Sequence, residues 1–146
     1  MDTKGFELGG DGPSVLVVGI DGSDTAWRAM YYAFGLARRQ HSTVIAVFVV
    51  TTAVAFDGMP LDSFQDGIDL AGELGHTIQA LAAEYHVTTH FLCLTGDPVL
   101  TLSGIAAEHR ADAIIMGASQ AFGHRLFGSK ALRAVRRRQC PVTVVP

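Results

Sequence analysis

Five residues near the end of the chain have the types and spacing to hold an anion: Gly117, Gly123, Arg125, Gly128 and Ser129. They follow the apolar run Ala113-Ile114-Ile115-Met116, which stops abruptly at Gly117, and Ser129 opens a stretch with helical character. Strand, glycine loop and helix N-terminus is how an α/β protein builds an anion site. The first amides of a helix are unpaired, point outward and carry the positive end of the helix dipole. Glycine lets the backbone approach a ligand without a Cβ in the way, and Arg125 can add a charge-assisted contact to phosphate. Taken alone, the same stretch also suits an ordinary strand-to-helix connection. A second signal is Asp21-Gly22-Ser23-Asp24, where the apolar run Val15 to Ile20 ends and Ser23 or Asp24 can cap a helix. Asp21 is either a ligand group at that strand end or a loop residue fixing its own turn.

The elements that must position these residues alternate in type along the chain. Val15–Ile20 and Thr43–Val50 are continuous apolar, β-branched runs, the pattern of strands buried on both faces of a parallel sheet. Between them a helix runs to about Gln40, with Trp27, Met30, Tyr31, Phe34 and Ala37 at three- and four-residue intervals. Residues 51–62 form a looser connection with Gly58 and Pro60. A second helix follows from Ser63 to about Tyr85, weakened by Gly67, Gly72 and Gly75 and buried along Ile68, Leu74, Ile78, Leu81 and Ala82. Val87–Leu94 alternates in part, which suits a sheet edge. Gly96-Asp97-Pro98 opens a third helix with proline in the first turn, where its missing N–H costs nothing; Leu100, Ile105 and Ala106 are expected to face inward. Lys130 to Gln139 is expected as the last helix and Pro141–Pro146 as the terminal strand, while residues 1–13, with four glycines and Pro13, suit a flexible tail. This order predicts one α/β domain over residues 14–146, a doubly wound parallel sheet with helices on both faces. Ligands of such folds sit beyond the C-terminal strand ends where the strand order reverses. With the first strand central, the Asp21 turn and the Gly117 loop flank that one crevice.

Composition narrows the function classes. The 146 residues are 49% hydrophobic and 17% charged with a net charge of −3, so no global basic field favours nucleic acid. The longest apolar run, Val44 to Val50, is far short of the roughly 20 residues of a membrane span, and the N-terminus lacks the order of a signal peptide. Cys93 and Cys140 form no metal spacing and suit reduced core residues of a cytoplasmic protein. His41, His76, His86, His90, His109 and His124 are scattered, with no zinc-type spacing. Basic residues crowd the expected last helix (Lys130, Arg133, Arg136, Arg137, Arg138), where they suit a solvated face and the helix dipole. No nucleophile–base pair is legible, so no catalytic residue is assigned.

Together these segments resemble the universal stress protein family. The matching features are Val15-Leu16-Val17-Val18-Gly19-Ile20-Asp21-Gly22-Ser23, Gly96-Asp97-Pro98, Ala111-Asp112-Ala113-Ile114-Ile115-Met116-Gly117, and Phe127-Gly128-Ser129 followed by Cys140–Pro146. The resemblance implies a Rossmann-like sheet of five parallel strands in the order 3-2-1-4-5 and, commonly, a homodimer. One branch of the family binds ATP through Gly-x2-Gly-x9-Gly-Ser/Thr; another lacks the pattern. Gly117 fits its first glycine and Gly128-Ser129 its last pair, whereas Gln120 stands in the second glycine's place and the loop is two residues shorter than the pattern. On the family's scheme Asp21 and Val49 hold the adenosine side, and Gly117, beside Met116, contacts ribose and phosphates with Gly128 and Ser129; Gly123 and Arg125 stand where they can compensate for Gln120.

Three functions remain open from these residues: an adenine-nucleotide-binding stress protein, a dimeric stress protein with an empty crevice acting through protein contacts, and a nucleotide-hydrolysing or adenylating enzyme on the same fold. The terminal strand, uncharged and bracketed by prolines, falls at a sheet edge in the implied order, and pairing with a second copy would cover it.

Overall fold

The computed structural model describes residues 14–50, 61–118 and 140–146. Along them lie β1 (Val15–Gly19), α1 (Asp24–Gln40), β2 (Thr43–Val50), α2 (Leu61–Tyr85), β3 (Thr89–Thr95), α3 (Pro98–Glu108), β4 (Ala113–Gly117) and β5 (Val142–Val145). The expected tail 1–13, residues 51–60 of the expected connection 51–62 and the expected last helix 130–139 fall outside the described residues, and α2 begins two residues before the expected Ser63.

The strands form one sheet in the order β3-β2-β1-β4-β5, every pair parallel. The expected architecture is therefore the observed one. A parallel sheet needs a crossover after each strand, and the described helices divide between its two faces. Leu16, Val18, Val44, Ala46 and Ile115 pack under α1 and α2; Val17, Ile45, Val47, Ile114 and Met116 pack under α3. Alternation along each strand feeds both cores, which is why β1 and β2 are apolar without a break.

α1 starts where expected. Ser23 is its N-cap, accepting a hydrogen bond from the Ala26 N–H at 3.2 Å, and His41 ends it in the left-handed conformation at φ 57°. Its buried stripe is Ala26, Ala29, Met30, Ala33, Phe34 and Ala37, so small residues let the helix lie close to the sheet. Tyr31, expected on that stripe, is 47% exposed. Its ring instead joins a surface row with Trp27 and Tyr85, at centroid distances of 6.4 and 6.3 Å.

On α3, Ala106 is buried and Ile105 packs against the core as expected, but Leu100 is not inward. Asp97 caps the helix and Pro98 occupies the first turn. Val99, Leu102, Ser103 and Ala106 then take the inward positions, leaving Leu100 51% exposed. On α2, Leu74, Ile78 and Ala82 are buried as expected, but Ile68 is exposed. Gly75, expected to weaken this helix, has a packing role: a Cβ there would come within 2.7 Å of the Phe91 ring.

β3 begins at Thr89, two residues after the expected Val87. The Val87 N–H donates to the Ala82 carbonyl at 2.9 Å and His86 turns left-handed at φ 57°, so Val87 closes α2 instead of opening the strand. At the N-terminal end of the sheet, Asp112 Oδ2 accepts from the backbone N–H groups of Ser14 and Val15 at 2.7 and 2.9 Å. That carboxylate ties the starts of β1 and β4.

Neither cysteine is fully buried: Cys93 is exposed and Cys140 half-buried, and both are free. Burial pushes the Cys140 thiol up; a backbone hydrogen bond at Ile114 opposes this and the Asp112 charge adds to it. The thiolate, the reactive form, is correspondingly scarce at neutral pH.

A left-handed residue with a Cβ is strained where glycine is not. His41→Gly is expected to raise stability by about 0.5–1 kcal/mol, the relief being partly offset by the greater freedom of glycine in the unfolded chain. Urea denaturation checks this.

Candidate functional site at the strand ends

The parallel register fixes what meets at the C-terminal edge of the sheet. Val18 lies opposite Ala46 on one side and Ile115 on the other, and the Ile20 N–H donates to the Val47 carbonyl at 3.0 Å. Asp21, Val49, Met116 and Gly117 therefore come to one edge, on three adjacent strands. Of the other expected site residues, Gly123, Arg125, Gly128 and Ser129 lie outside the described residues.

Each of the four is differently occupied. Asp21 is exposed, and its Oδ1 accepts from the Ser23 N–H at 2.9 Å across a turn in which Gly22 takes φ +86°. The turn-fixing role is thus present, and it leaves a carboxylate standing at the strand end. Val49 is half-buried on the α3 face and offers an apolar wall. Met116 lies on the same face with its side chain in the core.

Gly117 belongs to the opposite face. A Cβ there would lie 2.6 Å from the backbone nitrogen of Ala26 and 2.6 Å from the Thr25 carbonyl oxygen. The first turn of α1 sits directly on this glycine, so its bare backbone serves helix–strand packing. Next to it, the buried Thr25 hydroxyl donates to the Ala118 carbonyl at 2.7 Å, while the Ala118 N–H donates to Val145 at 2.7 Å.

Sequence reasoning did not single out Thr25. The available signal was a hydroxyl on the inward stripe of α1, four residues before Ala29, where a buried polar group needs a partner.

Helix dipoles lend this edge positive potential, and the exposed carboxylates of Asp21 and Asp24 stand beside it. α1 and α3 both begin here, after β1 and β3, and direct the positive ends of their dipoles toward it. A surface depression lined by Ile68, Asp69, Gly72, Glu73, His76 and Thr77 belongs to α2 alone. The five described histidines are all exposed, and among the described residues no three His, Cys, Asp or Glu side chains are grouped to hold a metal.

The universal stress protein family model matches residues 14–146. The chain belongs to the universal stress protein family. A universal stress protein of Methanocaldococcus jannaschii is 31% identical over 137 residues, 89% of this chain and 80% of that protein. The solved universal stress protein UspA of Lactobacillus plantarum superposes with a TM-score of 0.81 at 24% identity, covering 91% of this chain and 97% of its own. A universal stress protein of Archaeoglobus fulgidus, solved in complex with dAMP, gives a TM-score of 0.70 at 22% identity, covering 91% and 98%. No helix of the described residues is long and apolar enough to cross a membrane.

In this universal stress protein Gly117 has backbone, not a yielding side chain, over its Cα. Gly117→Ala is therefore expected to destabilise the fold by about 3 kcal/mol, near the upper range for overpacking. Gly104→Ala, whose Cβ meets nothing within 4 Å, serves as the control. Thermal and urea unfolding of the two variants checks the difference.

Proposed function

We propose that this universal stress protein binds an adenine nucleotide in the crevice at the ends of β1, β2 and β4, and acts in the cytoplasm by binding and signalling, not by turnover. The observation that carries this is the arrival of Asp21 and Val49 at the ends of the adjacent strands β1 and β2. A carboxylate that can accept from an amino or hydroxyl group stands beside an apolar wall for a flat ring, and the α1 dipole lies nearby. Two solved relatives support the ligand class: the Archaeoglobus fulgidus protein is in complex with dAMP, and a second universal stress protein is in complex with cAMP. ATP is the nucleotide that the glycine pattern implies, with Gly117, Gly128 and Ser129 toward ribose and phosphates and Gly123 and Arg125 assisting. The departures at Gln120 and in loop length fall on the phosphate side, so the adenosine side carries recognition. Free cysteines fit a reducing compartment.

The test is direct. Freshly purified protein is denatured and any released nucleotide identified, then ATP is titrated against the unmodified protein and Asp21→Ala. Released adenine nucleotide, and affinity weakened about tenfold by loss of a charged hydrogen-bond acceptor, are expected. No released nucleotide and no saturable ATP binding would reject the reading.

One observation favours a second reading, a module that acts through contacts with an empty crevice. The bare backbone of Gly117 is accounted for by α1 and requires no ligand. Either reading is compatible with a homodimer through the C-terminal strand, which we also propose. β5 is a sheet edge. The carbonyls of Pro141 and Val145 accept from Ile114 and Ala118, so by alternation the backbone groups of Val142 and Val144 face away from β4. Val144→Pro removes one outward donor while sparing the β4 ladder, and is expected to shift dimer toward monomer. Sedimentation equilibrium decides: a mass near 15.5 kDa at all micromolar concentrations for the unmodified protein refutes the dimer.

A further inference from the structure

We propose that Thr25 is the positioning residue of the crevice, its hydroxyl holding the end of β4 where a bound nucleotide meets it. The ligand half of this inference rests on the nucleotide reading above; the structural half does not. Thr25 is 2% exposed, and its hydroxyl donates to the Ala118 carbonyl across 93 positions of sequence at 2.7 Å. A carbonyl can only accept, so the single proton of Thr25 is committed to Ala118. Ser23 Oγ, 3.3 Å from Thr25 Oγ1, must then donate to it while accepting from the Ala26 N–H. The result is one directed chain from the Ala26 amide through Ser23 and Thr25 to Ala118, in which each bond polarises the next.

Two further contacts converge on the same point. The Gly117 backbone is pressed against the Thr25–Ala26 peptide, and the Ala118 N–H is held by the Val145 carbonyl. Ala118 is thus fixed from α1 on one side and β5 on the other, just where the chain leaves β4 toward Gly123, Arg125, Gly128 and Ser129. The cap that begins α1 and the exit of β4 are parts of one hydrogen-bonded unit. Asp21 enters the same unit through the Ser23 amide, so both strand ends that flank the crevice are set relative to each other by this chain.

Thr25→Val keeps the shape and removes the hydroxyl; Thr25→Ser keeps the hydroxyl and loses a methyl. ATP affinity, the exchange rate of the Ala118 amide and global stability in urea are measured for both. In Thr25→Val, ATP affinity should fall about tenfold and Ala118 exchange should rise about tenfold relative to the amides of Leu16–Val18, the scale of one lost buried hydrogen bond. Thr25→Ser should stay within about twofold of the unmodified protein in both, although its lost methyl lowers global stability. Equal behaviour of the two variants, following global stability alone, would overturn the proposal, as would an unchanged Thr25→Val. If the unmodified protein binds no ATP, the nucleotide reading and the ligand half fall together. The exchange arm then decides the structural half: faster exchange at Ala118 in Thr25→Val alone supports it, and equal exchange overturns it.

Discussion

The backbone of α1 rests on the backbone of β4, and most of the molecule's arrangement depends on that approach. Helices normally stand off a sheet by the depth of their side chains. Here the first turn of α1 comes down onto Gly117, and the alanines at positions 26, 29, 33 and 37 keep the helix low along its length. Such closeness is tolerable only because the polar groups it buries are matched: the Thr25 hydroxyl finds the Ala118 carbonyl, and no buried side-chain polar atom among the described residues lacks a partner. Because α1 follows β1 while β4 flanks β1 on the other side from β2, the contact also fixes the crevice between their ends.

Much of the fold was legible because each signal had one dominant cause. β2 was read to the residue and α1 to within about one at each end, since continuous β-branched runs, a cap at Ser23 or Asp24 and an amphipathic period admit few other structures. The strand order came from the family resemblance and not from any local feature. What was misread was orientation within elements. Tyr31 and Leu100 lie beside the buried stripes, and periodicity alone cannot distinguish a residue at the edge of an apolar face from one at its centre. The start of β3 was obscured because Val87, a good strand residue, is drawn into the end of α2.

The site was legible to a different degree. The sequence brought Asp21 and Gly117 forward as strand-end residues and left Gly117 open between a ligand contact and an ordinary strand-to-helix connection. The structure adds a packing reason for its bare backbone, the first turn of α1 lying against it. Glycine records that something comes close and says nothing about what. Thr25 went unnoticed for a related reason. A single hydroxyl on a helix has many solvent-facing explanations, and only its burial against a carbonyl far away in sequence reveals that it ties α1 to the end of β4.

The Asp112 carboxylate that gathers the Ser14 and Val15 amides has a practical corollary. It anchors the entry of the chain at the opposite end of β1 from Asp21, a separation of roughly 20 Å at the rise of an extended chain. The backbone therefore enters β1 at the end of the strand remote from the crevice. A probe placed on Ser14 itself would report on the opposite end of the sheet from Asp21, and so on the scaffold separately from the strand ends.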